Sequence, residues 1–266
     1  AGTAPRLIVR LLAVAFAGLQ SLVPPADSAG PRAELRAGLD QLYGGDFPGA
    51  AAYFAELAAR DSTDPAPLVF QAGAYIWWAE ALDSAQFEPQ RIDSLLGQAI
   101  ARARSDGEAA GPYQQFWLAT ALGYRARERE LHGSGLAAAQ DAKAMRDGYA
   151  RVLAADSSCV DCYLGLGLYE YGLARAGWLA RFVARLIGLG SGNAARGLSL
   201  LRRAAEGGDL ARIEARWVLA AALVREAERD DVRAAALVRE ARDIVGGLAE
   251  RYPGNPVFQR FLRETS

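Results

Sequence analysis

The stretch Leu35–Pro65, LRAGLDQLYGGDFPGAAAYFAELAARDSTDP, decides the fold class. Apolar residues recur at helical spacing before a break at Gly44-Gly45-Asp46, as Leu35, Leu39 and Leu42, and again after it, as Ala50, Tyr53, Phe54 and Leu57. The glycine pair suits a left-handed helix end. Asp61-Ser62-Thr63-Asp64-Pro65 stops the second run and offers side chains to cap a following helix. One hairpin of this kind cannot bury its apolar face alone, so the pattern calls for neighbours.

Neighbours follow along the chain. Helical runs are expected from Leu68 to Leu82, Arg91 to Arg104, Tyr113 to Leu131, Leu136 to Ala155, through Tyr163 to Tyr171, Ala194 to Glu206, Leu210 to Arg229, Asp231 to Arg251 and Val257 to Arg263. No run of alternating β-branched residues is long enough for a strand. The chain reads as all-α.

The Leu35–Pro65 hairpin resembles a tetratricopeptide repeat, a unit of about 34 residues. Gly38 and Ala50 stand where that family places small residues at a helix crossing. Gly45-Asp46-Phe47 matches its turn, and Phe54 its late aromatic. Tyr163, Leu166, Gly167 and Tyr171 repeat the pattern further on, Gly73 takes the small position in the second unit, and Tyr252-Pro253-Gly254-Asn255-Pro256 closes the last one. Ser62 replaces the usual closing proline. The resemblance implies a right-handed superhelix of about five helical hairpins over residues 30–263. It also implies a non-catalytic scaffold that binds a protein or peptide in a concave groove. By the family's register the groove would be lined by Leu39, Tyr43, Trp77, Trp78, Thr120, Tyr124, Leu168, Tyr171 and Trp217. Aromatic side chains suit such a role because they bury large area at low rotamer cost.

The first 29 residues read differently. Arg6 and Arg10 precede the apolar stretch Leu11 to Val23, and Pro24-Pro25 and Ala26-Asp27-Ser28-Ala29 follow. That order is expected of a signal peptide or, alternatively, of an amino-terminal anchor. Either would put the rest outside the cytoplasm, in the periplasm or on the envelope.

Composition narrows the partners. The chain of 266 residues is 52% hydrophobic and 23% charged with a formal net charge of −1, which gives no electrostatic reason to expect nucleic acid. Cys159 and Cys162 are the only cysteines. Their C-x-x-C spacing at a helix start allows a redox role, but without a βαβ pattern it reads as a structural disulfide or as two incidental thiols. With a single histidine, His132, no metal site is expected, and no cofactor.

Two alternative functions remain. One is a helical-scaffold enzyme using paired carboxylates. Glu128 with Glu130 and Asp230 with Asp231 lie beside arginines, however, which reads as solvated surface. The other is a membrane-associated assembly factor using the insertion at 174–192. There Trp178, Phe182, Val183, Leu186 and Ile187 form an apolar face next to Arg175, Arg181 and Arg185, suited to a membrane interface or a partner helix.

Overall fold

The computed structural model describes residues 30–105, 107, 110–177 and 188–266. The amino-terminal segment 1–29 and the apolar residues Trp178 to Ile187 of the insertion lie outside the described residues. The chain divides into a unit of residues 1–34 and a compact unit of residues 35–266.

The described residues form eleven helices and no strand. These are α1 Pro31–Tyr43, α2 Phe47–Arg60, α3 Ala66–Ala81, α4 Pro89–Ala103, α5 Pro112–Leu131, α6 Gly135–Ala155, α7 Cys162–Arg175, α8 Ala194–Gly207, α9 Arg212–Ala227, α10 Ala234–Arg251 and α11 Pro256–Glu264. The starts follow local chemistry. Asp46 accepts the Gly49 N–H at 3.0 Å, and Asn193 accepts that of Arg196 at 2.9 Å. Proline opens α4, α5 and α11, where its missing N–H is no loss. From α2 onward each helix packs on the next in chain order, as an α-solenoid would.

Glycine permits the tight pairings. A Cβ on Gly38 would lie 2.5 Å from the Phe54 ring, and one on Gly167 would lie 2.9 Å from Leu201 Cγ, so α1 on α2 and α7 on α8 approach closer than any side chain would allow. These are the crossing roles expected for both residues. Gly73 is a correction. Outside its own helix, the nearest atom to a Cβ there is Tyr124 Oη, 3.9 Å away. It makes no tight crossing, and its neighbour outside the helix is Tyr124 of α5 at ordinary contact distance.

Helix order alone would leave the start and end of the unit unconnected, but they meet. Asn255, wholly buried, donates from Nδ2 to the Tyr43 carbonyl at 3.0 Å, and its Oδ1 caps α11 by accepting the Val257 N–H. Tyr252 donates to Asp40 at 2.6 Å, and Arg260 to the Glu80 carbonyl at 2.6 Å. The Gly44-Gly45 turn lies against Gly254, with a Cβ on Gly45 only 2.6 Å from the Gly254 carbonyl oxygen. A shared aromatic cluster follows. The Trp77 ring centroid lies 5.4 Å from that of Tyr43, 5.9 Å from Trp217 and 5.7 Å from Phe258.

Replacing Asn255 with Ala strands a buried carbonyl and removes a helix cap. Together these should cost about 2–4 kcal/mol. Urea unfolding of the variant checks this; a loss below about 0.5 kcal/mol would mean that water or relaxation replaces the clasp.

Candidate functional site

The partly open polar group inside the unit is built by four helices. On α5, Thr120 and Tyr124 share a face at i, i+4 spacing; on α9, Glu214 and Trp217 do so at i, i+3. Gly73 of α3 faces the Tyr124 hydroxyl, which lies 3.9 Å from where its Cβ would stand. Tyr43 of α1 brings its hydroxyl to the Glu214 backbone N–H. That N–H belongs to the first turn of α9, where donors lack partners within the helix. The donors just before it are met by buried Asp161, which accepts from the backbone of Asp209 at 2.6 Å and of Leu210 at 3.1 Å.

Tyr124 donates a short hydrogen bond to the Glu214 carboxyl. Thr120 donates to the Phe116 carbonyl at 2.9 Å and therefore accepts from the Tyr149 hydroxyl, also at 2.9 Å. Burial pushes the Glu214 carboxyl above its ordinary pKa, opposed by the Tyr124 bond and more distantly by Arg127. Burial, reinforced by the Glu214 charge, pushes Tyr43 and Tyr124 well above the usual phenol range, so both remain donors. Yet Glu214, Tyr124, Thr120 and Trp217 each keep part of their surface open. The Glu214 carboxyl is half-buried rather than sealed from solvent. Among the described residues no arginine or lysine forms an ion pair with Glu214.

The nine groove residues fall into three sets. Leu39, Tyr43, Trp77 and Tyr171 are buried within the unit. Tyr43 and Trp77 pack beneath the segment 252–258, and Tyr171 is hydrogen-bonded to the Ala222 carbonyl and Glu226. Thr120, Tyr124 and Trp217 are half-buried, and Leu168 is 40% exposed. Trp78 points away from Trp77, stacking near Tyr75 and against Phe87. The structure brings Tyr43, Trp77, Thr120, Tyr124 and Trp217 around one interior and leaves Trp78 outside it. Glu214 was not among them. Its signal was its place one turn before Trp217, on the same face of α9.

Two other expectations are resolved by contacts. Glu128 is not solvated: it is 8% exposed, paired with Arg127 and 3.8 Å from His132. Cys159 and Cys162 form a disulfide. Among the described residues no group of three or more His, Cys, Asp or Glu side chains is placed to hold a metal, and no helix is long and apolar enough to cross a membrane.

Two shallow clefts lie elsewhere, one between α3 and α4 at Tyr75 and Arg91, one beside the α8 start at Arg146, Tyr169 and Arg196. Their arginines are engaged. Arg91 donates to Tyr75, Arg146 to Asp147 and Tyr169, and Arg196 lies 3.8 Å from Glu170. No protein-family model, curated protein or solved structure matches this chain.

Because the Glu214 carboxyl holds its proton more tightly when folded, it favours the folded state below the ordinary carboxylate pKa of 4.5, and that contribution is lost as pH rises through the raised value. Glu214→Gln should therefore be more stable than wild type at pH 7–8, with the difference closing towards pH 4. Denaturant midpoints across that range check the sign.

The disulfide closes a very short loop, worth about 2 kcal/mol in the chain-entropy account. A Cys159→Ser, Cys162→Ser variant should lose about that much, and reduction of the wild type should reproduce the loss.

Proposed function

We propose that this chain is a non-catalytic tetratricopeptide-like scaffold, a right-handed superhelix of about five hairpins, that holds a partner protein or peptide on its inner face outside the cytoplasm. One observation carries the reading. Tyr43 and Trp77 are buried against the segment 252–258, whereas Thr120, Tyr124, Leu168 and Trp217 keep open surface, Trp217 while also meeting Phe258. Exposed aliphatic and aromatic surface beside hydroxyls suits a peptide anchor. The disulfide and the basic-then-apolar start of the chain support export, since such bonds persist in oxidising compartments.

A random-peptide display selection on the full chain tests this. Enriched peptides should bind at least about tenfold more weakly to Leu168→Asp, a change of 1.4 kcal/mol or more. Val232→Asp, at the 96% exposed Val232, should leave binding unchanged. Both sites are open enough for the fold to tolerate a charge. Failure to enrich any peptide, or equal binding to both variants, would refute the proposed face.

A further inference from the structure

We infer that α11 is a resident ligand, seated where a partner's helix binds, and that the partner presents an aromatic, an arginine two residues on and an aromatic three residues on. The inference rests on the binding role proposed above and names the partner's chemistry. α11 supplies that pattern itself, as Phe258, Arg260 and Phe261. Phe258 and Phe261 share a face at i, i+3 spacing, and both are buried. The Phe258 ring centroid lies 5.7 Å from that of Trp77 on α3 and 5.9 Å from that of Trp217 on α9, and the Phe261 centroid lies 5.5 Å from Trp217. Arg260 reaches the carboxyl end of α3, donating to the Glu80 carbonyl at 2.6 Å with the Glu80 carboxylate 3.5 Å away. The last carbonyls of a helix lack partners further along it and favour a cation.

α11 follows α10 in the chain, yet its arginine binds α3, 180 residues earlier. Trp77 and Trp217, which its rings meet, are two of the residues that the repeat register puts on the inner face. α11 thus lies across that face, in the helix-in-groove manner by which amphipathic segments are recognised. At nine residues it is shorter than the roughly 12–15 that sustain a helix alone in water, so its form depends on this seat and on Arg242 of α10, which donates to the Leu262 carbonyl at 2.7 Å. Trp217 stays half-buried beside it, which leaves an incoming helix a first foothold. Tyr252 and Asn255 precede α11, so exchange from Phe258 onward leaves their bonds to Asp40 and Tyr43 in place, and a partner's ring replaces that of Phe258. The polar end of the site selects the charge. The Glu80 carbonyl and carboxylate both accept, and a guanidinium fork can meet the two together, whereas an acid there would be repelled. Residues 252–255 tether α11 to α10 at high effective concentration, so a partner has to compete with it.

The probe is a labelled peptide of residues 253–266, titrated into the full chain and followed by fluorescence anisotropy. Wild type should bind it weakly, because the site is already filled. Arg260→Glu in the chain sets a carboxylate against Glu80, so it should loosen the resident helix and tighten peptide binding at least tenfold. Arg260→Glu in the peptide, or Phe258→Ala with Phe261→Ala in the peptide, should weaken binding to that chain at least tenfold. Hydrogen exchange on wild type keeps the test independent of how well the chain variant folds: excess peptide should speed exchange of the α11 amides at least fivefold. No binding to either chain, equal affinity for both, or a bound peptide that leaves α11 exchange unchanged overturns the inference. If display-selected peptides lose affinity on Leu168→Asp but do not compete with the α11 peptide, this inference falls while the peptide-binding role stands.

Discussion

The buried contact between Asn255 and the Tyr43 carbonyl joins residues 212 positions apart. A stack of helix pairs can be stable through neighbour contacts alone, and its ends are then free to fray. Here the first and last helices of the unit share a clasp, a glycine-on-glycine turn contact and an aromatic cluster. Opening either end exposes Tyr43, Trp77 and Phe258 together. Unfolding is thereby tied to contacts that span the whole unit, and Tyr43, Trp77 and Phe258 become core.

What could be read from the sequence and what could not divide along the range of the contact. The positions of the helices were legible because caps, prolines and 3.6-residue spacing act within a few residues. Gly38 and Gly167 were legible because a tight crossing between consecutive helices leaves a small residue at a fixed place. Gly73 has the same local signature, yet it faces Tyr124 across the interior. The local spacing encodes how a helix meets its immediate neighbour and says nothing of the helix after that. The burial of Glu128 was hidden for a related reason: flanking arginines look the same in sequence whether they face water or close over a carboxyl. Glu214 was missed because one acid on a helix of mixed charge stands out only when Tyr43 and Tyr124 are brought to it.

The inner group sits uneasily with the rest of the core. Around it the structure follows ordinary rules: Phe54, Leu96, Leu201 and Leu223 are fully buried, and Asp141 is matched by Arg125 and Arg129. Among the described residues the Glu214 carboxyl has the Tyr124 hydroxyl as a partner and no ion-paired cation. A glutamine would satisfy the same hydrogen bond without the desolvated charge. Retaining an acid there gives up some stability at neutral pH, a pattern met where a site is shaped for something other than folding.

The late position of the clasp has a bearing on biosynthesis. A polypeptide is made from its amino end, and about 180 residues separate Trp77 from Phe258, the ring that covers it. At roughly 5–20 residues per second the ribosome needs on the order of ten to forty seconds to traverse that distance. Throughout that interval the early helices can pair with one another while their inner aromatic surface stays uncovered. The nascent chain thus passes through a long sticky stage that ends only when its final helix emerges. Chaperones that hold apolar segments would find their target in the first half of the molecule.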